Sequence, residues 1–163
     1  MSVNTLCWTD IPVNDLDRAT KFYSAVLGQE VSEMSEGGFE YGLLPHEEQN
    51  ASGCLCVGAD SIGSKNTPSQ TGPLVYLSVE GRLDDAIKAV RANSGKVLEE
   101  KTQIGPHGFR AVMVDSEGNR IALHSSRNRP VTGTTENLRS LGWQPALPST
   151  LRETISGRRN EAK

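Results

Sequence analysis

The chain of 163 residues lacks several features that would place it in a special class of protein. It has no run of eighteen apolar residues and no basic, apolar and small-residue leader, so neither membrane insertion nor export is favoured. We therefore expect a cytoplasmic location. Its three cysteines are an odd number without the paired spacing of zinc ligands, and reduced thiols in a core are the simplest interpretation.

Basic residues are also not clustered in a stripe. Residues 127–163 contain seven basic and three acidic residues, and the preceding part contains ten basic and seventeen acidic ones. Phosphate binding needs several cations on one face, so the acidic body argues against a nucleic-acid partner. A content of 36% apolar and 23% charged residues is ordinary for a globular protein, and we expect neither nucleic acid nor membrane as a partner.

One layout is present twice in the chain. The apolar stretch Trp8–Val13 and a helical pattern ending at Gly28 recur as Leu74–Val79 and a helical pattern ending at Gly95, with offsets of 66 and 67 residues. A duplicated unit is the economical explanation, although two unrelated amphipathic helices that each end in glycine are the alternative.

Apolar residues at helical spacing and acidic residues near the helix starts support the same division. Asp15 or Asp17 can cap the first helix, and Asp84 and Asp85 lie in the first turn of the second. Glycine is suited to the left-handed conformation that ends a helix. Three strands are predicted after each helix: 30–31, 39–44 and 53–57, then 96–98, 109–114 and 120–124.

Each half is therefore predicted to be a βαβββ module in an α+β protein. The modules span about residues 4–58 and 72–126 of a domain at 1–126, and the loop within 50–71 is the predicted hinge. Asp115–Asn119 is predicted to be a hairpin turn. Residues 127–163 are predicted to be an irregular C-terminal extension with one or two helical turns, which packs on its own domain or on a partner's.

Two motifs carry a resemblance to a known superfamily. They are Asp10–Ala19 with the later Phe22-Tyr23 and Leu27-Gly28, and Gly105–Phe109 followed by Asp115–His124. The chain resembles the vicinal oxygen chelate superfamily, which includes glyoxalase I, bleomycin-resistance proteins and extradiol dioxygenases, and most resembles its glyoxalase-related members. The resemblance implies curved mixed sheets that enclose a ligand cavity, often completed by a dimer partner, so we expect a homodimer.

The resemblance also implies positions for a divalent metal. The ligand positions on the first strand of each module fall on Trp8 and Leu74, and the glutamate position on the final strand falls on Ala122. None of these can bind a metal. The remaining position lies near Cys54 or Cys56, and one thiolate does not suit magnesium or manganese. We therefore expect no metal site of the family type and no cofactor, while an atypical divalent metal stays open.

Strand alternation then predicts what lines the cavity. If the mapped positions face it, so do the residues two places along each strand. The predicted lining is Trp8, Asp10, Tyr76, Arg120 and His124, with Cys54 and Cys56 possible and His107 in a lid-like turn. Asp10 and His124 are the candidate catalytic base and acid, because burial favours a protonated carboxyl group and imidazole titrates near neutral pH.

Each of these residues has a structural alternative. Asp10 could form a buried ion pair with Arg120, and His124 could donate to a backbone carbonyl. Tyr76 and Trp8 could be packing residues, and His107 a solvated loop residue. Two functions remain: a metal-independent protein of the bleomycin-resistance kind that binds a small organic molecule, and a glyoxalase-related lyase or isomerase. A dioxygenase is disfavoured.

Overall fold

The computed structural model describes residues 5–47, 50–58 and 66–128. The first module consists of one helix and four strands, and the second repeats this order with a short 3-10 turn at Gly105–His107. The elements are β1 (Trp8–Val13), α1 (Leu16–Leu27), β2 (Ser32–Glu36), β3 (Phe39–Leu43), β4 (Ser52–Val57), β5 (Val75–Ser78), α2 (Leu83–Ala92), β6 (Lys96–Gln103), β7 (Phe109–Val114) and β8 (Arg120–Ser125). The predicted pair of βαβββ modules is confirmed.

The strands form two four-stranded mixed sheets of the same topology. The order is β1-β4-β3-β2 in the first sheet and β5-β8-β7-β6 in the second, and the first strand of each module runs parallel to the last. The sheets are not joined by strand pairing among the described residues, so they are not closed around a cavity. In this respect the structure differs from the expected enclosing arrangement.

Helix α1 begins and ends as its sequence predicts. Asp15, and not Asp17, caps it, because its Oδ1 accepts a hydrogen bond of 2.9 Å from the backbone N–H of Arg18. Gly28 ends the helix in the left-handed conformation with φ of 68°. Its buried face lies in a core that both modules share; the largest fully buried side chains there include Phe22, Tyr23, Leu55, Met113, Ile121 and Leu123.

Helix α2 ends differently from α1. Ser94, and not Gly95, takes the positive φ of 68°, and the helix stops at Asn93. The expected left-handed glycine is therefore wrong at this helix. Close packing requires glycine at position 95, since a Cβ there would lie 2.7 Å from both Phe22 Cε2 and Val90 Cγ1.

The hairpin turn Asp115–Asn119 joins the second module to the first. Within the turn, Asp115 Oδ1 accepts hydrogen bonds from the backbone N–H groups of residues 117, 118 and 119. Across the modules, Asn119 donates to the carbonyl of Pro12 at 2.8 Å. The carboxylate of Glu117 accepts from Arg18 and from the two backbone N–H groups just before α1.

The predicted C-terminal extension lies outside the described residues from position 129 onward, as does the middle of the predicted hinge at 59–65. Among the helices that the structure describes, none is long and apolar enough to cross a membrane.

Candidate functional site

Each sheet packs one face against the shared core, and no described element packs on its other face, which we call uncovered. In β1, Ile11 and Val13 are buried, whereas Trp8 and Asp10 on the opposite face are exposed. The strand register identifies the side chains of β2, β3 and β4 that lie on this same uncovered face of the first sheet. We call this the first face. It carries the apolar and aromatic side chains Trp8, Pro12, Met34, Phe39, Tyr41, Leu43, Cys54 and Cys56, and the polar side chains Asp10, Ser32, Glu36 and Ser52.

Three predicted residues of the first face are in contact around one carboxylate oxygen. Trp8 Nε1 donates a hydrogen bond of 2.9 Å to Asp10 Oδ1, and the Cys54 thiol donates to the same oxygen at 3.4 Å. The Sγ atoms of Cys54 and Cys56 are 3.8 Å apart. This arrangement follows from the parallel register, which places Asp10 beside Cys54 and Pro12 beside Cys56.

The two thiols of this cluster are poor acids. Burial, the adjacent Cys56 and the hydrogen bond to Asp10 together raise the pKa of Cys54 to about 12. Burial also raises the pKa of Cys56, although its contact with Cys54 opposes that rise. In the protein without a bound cation, both side chains are therefore neutral thiols near pH 7.

The uncovered face of the second sheet is polar. Arg110 donates from one nitrogen to the Tyr76 hydroxyl at 2.8 Å and from another to Glu99 at 3.2 Å. The hydrogen bond with Tyr76 and the charge of Glu99 raise the pKa of Arg110, which stays a cation. By strand register the same face includes Ser78, Ala122, His124, Val112 and Arg120, and we call it the second face.

His124 lies beside Arg110 on this face and is held by the loop above it. Its Nε2–H donates to the backbone carbonyl of His107 at 2.7 Å, since a carbonyl oxygen can only accept. The alternative that His124 donates to a backbone carbonyl is thus what the structure shows. The side chain of His107 itself is exposed.

A pocket of about 220 Å³ lies between the modules, lined by residues of β1, of the segment 66–75 and of 119–121. Asp10 and Pro12 line it from the first sheet, and Arg120 lines it from the second. The described residues show no ion pair between Asp10 and Arg120. Asp10 is exposed, so the expected burial of this carboxylate is wrong, and so is the alternative of a buried ion pair.

The predicted site residues therefore fall into two groups. Trp8, Asp10, Cys54 and Cys56 lie together on the first face, while Tyr76, Arg120 and His124 lie on the second. Arg110 was not predicted, yet the hairpin contains a signal for it. The turn pairs residue 115 with residue 119. Counting the same number of residues away from the turn along each strand places Arg110 opposite His124, as observed.

Three of the positions that the resemblance assigns to a divalent metal cannot bind one. The indole nitrogen of Trp8 is a donor directed at Asp10, and Leu74 has no donor atom in its side chain. Ala122 contributes a methyl group and is fully buried. These side chains offer no lone pair to a cation, so we derive no chemistry through a metal at these positions.

Comparisons with known proteins agree with the architecture. Residues 5–40 match the family model described as bleomycin resistance protein-like N-terminal. A glyoxylase-like domain-containing protein of Didymella fabae is 28% identical over 116 residues, which cover 70% of this chain and 88% of the relative.

Solved structures share the fold at low sequence identity. A glyoxalase-related enzyme from Fulvimarina pelagi has a TM-score of 0.58 at 12% identity, covering 76% of this chain and 88% of that one. A glyoxalase/bleomycin resistance protein from Albidiferax ferrireducens has a TM-score of 0.56 at 20% identity, covering 75% and 98%. Together with the paired βαβββ modules, these findings agree with the resemblance to the glyoxalase and bleomycin-resistance proteins of the vicinal oxygen chelate superfamily, and the solved structures show that the chain has their fold.

Proposed function

We propose that the protein binds a small organic molecule with an apolar body and an anionic group, without the divalent metal of the family's enzymes. The observation that carries the proposal is the contrast between the two uncovered faces. Trp8 on the first face is 44% exposed and offers an aromatic surface. Arg110 and Arg120 on the second face offer cations that suit a carboxylate or a similar acceptor.

The pocket between the modules is the natural place for such a ligand. Asp10 and Arg120 both line it, so one charged group from each face reaches it, whereas Arg110 and His124 lie outside its lining. Ligand pockets typically combine an apolar wall with a few placed polar groups. The volume of about 220 Å³ favours a small ligand, or the polar end of a larger one whose body extends over Trp8.

A homodimer is part of the same proposal. On the first face, Phe39 is 62% exposed and Met34 is 44% exposed, with Glu36 beside Phe39, and large exposed apolar side chains rimmed by polar ones are typical of a surface that a partner covers. A second copy of the chain that packs on the first face would bury these side chains. Sedimentation of the full chain at several concentrations tests this part, and a monomer at every concentration would contradict it. The cytoplasmic location remains a prediction.

Ligand binding can be measured through Trp8. The chain has two tryptophans, so Trp143→Phe leaves Trp8 as the single reporter of the first face. A library of small carboxylates and neutral analogues is screened by thermal shift, and hits are titrated by Trp8 fluorescence. We expect anionic compounds to raise the melting temperature and change the Trp8 emission.

Arginine variants test the recognition of the anionic group. Arg120→Ala and Arg110→Ala should each weaken binding of an anionic hit by about tenfold or more, the loss expected for a charged hydrogen bond. Arg91→Ala is the matched control, because this exposed arginine of α2 pairs with Glu100 away from both faces. Unchanged affinity in both face variants, or no response to any anionic compound, would contradict the proposal.

A lyase or isomerase is the second candidate. With Nε2 of His124 donating to His107, its Nδ1 is free to accept a proton in the neutral tautomer. If His124 and Asp10 transfer protons, His124→Ala and Asp10→Ala should lower turnover of a hit about 10²- to 10⁴-fold. A binding protein would instead show graded changes in affinity and no conversion of the ligand by mass spectrometry.

A further inference from the structure

Asp10, Cys54 and Cys56 present three metal-binding atoms from adjacent strands of the first module. One carboxylate oxygen and the two Sγ atoms all lie within 4.8 Å of one another. The strand pairing enforces this, since Asp10 and Cys54 are register partners and Cys56 is the next residue on the same side of β4. The cluster does not use the mapped positions Trp8, Leu74 and Ala122; it includes the remaining position near Cys54 or Cys56 and combines two sulfur donors there with Asp10.

Two of the three separations match those of a tetrahedral zinc site. With Zn–S bonds of about 2.3 Å and Zn–O bonds of about 2.1 Å, two thiolates would be about 3.8 Å apart, and a thiolate and a carboxylate oxygen about 3.6 Å. The observed separations are 3.8 Å between the thiols and 3.4 Å from Cys54 Sγ to Asp10 Oδ1. The third separation, from Cys56 Sγ to the Asp10 carboxylate, lies within 4.8 Å, so a side-chain rotation of the exposed Asp10 would complete the geometry.

We propose that Asp10, Cys54 and Cys56 form a binding site for a thiophilic divalent cation such as Zn²⁺, with the fourth position open on the first face. Two thiolates and one carboxylate neutralise the ion with one negative charge in excess, and sulfur donors favour Zn²⁺ over Mg²⁺. Trp8 supports the geometry, because its N–H holds Asp10 Oδ1 beside the thiols. The site shares Asp10 with the proposed ligand pocket, whereas Cys54 and Cys56 do not line that pocket.

Binding of Co²⁺ by the two thiolates can be followed by absorption spectroscopy. The reduced, untagged full chain is titrated with Co²⁺, which then is displaced with Zn²⁺. We expect saturation at one equivalent, a thiolate-to-cobalt charge-transfer absorption and the intense visible bands of a tetrahedral ion. Because both thiols are neutral before binding, Zn²⁺ should release about two protons, measured by calorimetry in buffers of different ionisation enthalpy.

Variants assign the donors. Cys54→Ser and Cys56→Ser should each weaken Zn²⁺ binding at least tenfold and reduce the charge-transfer band. Asp10→Asn should weaken binding while keeping the band. Cys7→Ser is the matched control, because Cys7 is exposed and lies outside the cluster, and it should change nothing.

The outcomes separate clearly. No charge-transfer band in the parent chain, or a band that survives both Cys54→Ser and Cys56→Ser, overturns the site. If the buried Cys54→Ser variant unfolds by circular dichroism, Cys56→Ser and the exposed Asp10→Asn decide the question. Binding that is lost in Cys7→Ser also overturns it.

Discussion

Tyr23 of the first module donates a hydrogen bond of 2.6 Å to the carboxylate of Asp115 in the second. Both residues are buried, at 0% and 3% exposure. Burial and the nearby Asp115 charge raise the pKa of Tyr23 well above its ordinary value, so the phenol remains the donor. Asp115 also organises the hairpin turn, and a single carboxylate therefore links that turn to α1.

This contact explains why the sequence motifs predict the fold better than the activity. The motif residues around α1 and in the hairpin turn bind each other: Arg18 with Glu117, Tyr23 with Asp115, and Asn119 with the carbonyl of Pro12. They hold the two modules together, and none of these contacts involves Trp8, Arg110 or His124. A chain can keep them while its binding residues change completely.

Removing the Tyr23 hydroxyl should destabilise the whole domain. Tyr23→Phe leaves a buried carboxylate oxygen with one fewer donor, and we expect a loss of about 1–3 kcal/mol in the free energy of unfolding. Urea denaturation measures it. Tyr41→Phe is the control, because the Tyr41 hydroxyl lies on the first face and makes no hydrogen bond within the described residues; equal losses in both variants would contradict the interpretation.

The Glu117 carboxylate should make the stability sensitive to acid. Burial raises the pKa of Glu117, but hydrogen bonds from Arg18, the Asn14 backbone and Ser116 outweigh it, so the net pKa is lowered. A carboxyl group with a lowered folded pKa stabilises the fold above its unfolded value of about 4.3, and this stabilisation is lost as the pH falls through the folded value.

Glu117→Gln tests this dependence. The variant should be less stable than the parent by about 1–3 kcal/mol near pH 7, and the difference should shrink between about pH 5 and pH 3. Urea denaturation across this pH range gives both quantities. Glu33→Gln, at an exposed position of β2, is the control and should show no such change. A difference that stays constant with pH would refute the role of the charge.

Local patterns predicted most of the fold because they act over a few residues. The cap at Asp15, the stop at Gly28 and the turn at 115–119 each follow from short-range chemistry, and the structure has them where the sequence places them. The exposure of Asp10 could not be predicted from such local patterns. It depends on whether the two sheets close over their outer faces, and that is a property of the assembled modules and not of β1.

The end of α2 shows the same limit. The resemblance between the two halves predicts a left-handed Gly95, yet tight packing against Phe22 and Val90 already requires glycine there. The left-handed residue is therefore the preceding Ser94, at some cost in backbone energy. Sequence alone does not distinguish a glycine required by packing from one required by its φ angle.

Ser94→Gly should consequently stabilise the protein. Glycine adopts a φ of 68° without the steric clash that the serine Cβ makes. We expect the free energy of unfolding to rise by about 0.5–1 kcal/mol, after subtraction of the larger conformational entropy of glycine in the unfolded chain. Thermal and urea denaturation measure it. Ser94→Ala keeps a Cβ and is the matched control, which should be no more stable than the parent. A gain shared by both variants would point to the loss of the hydroxyl instead.

The cysteines should differ strongly in reactivity toward iodoacetamide. The thiolate is the reactive form, and the pKa of about 12 at Cys54 leaves very little of it at pH 8. Cys7 is exposed, whereas Cys54 is buried, so access to the reagent also favours reaction at Cys7. We expect Cys54 to be alkylated more slowly by roughly a hundredfold or more, as followed by peptide mass spectrometry over time. In denaturant the two rates should converge, which shows that the fold causes the difference. Equal rates in the native protein would mean that Cys54 is neither buried nor held against Asp10 as the strand register requires.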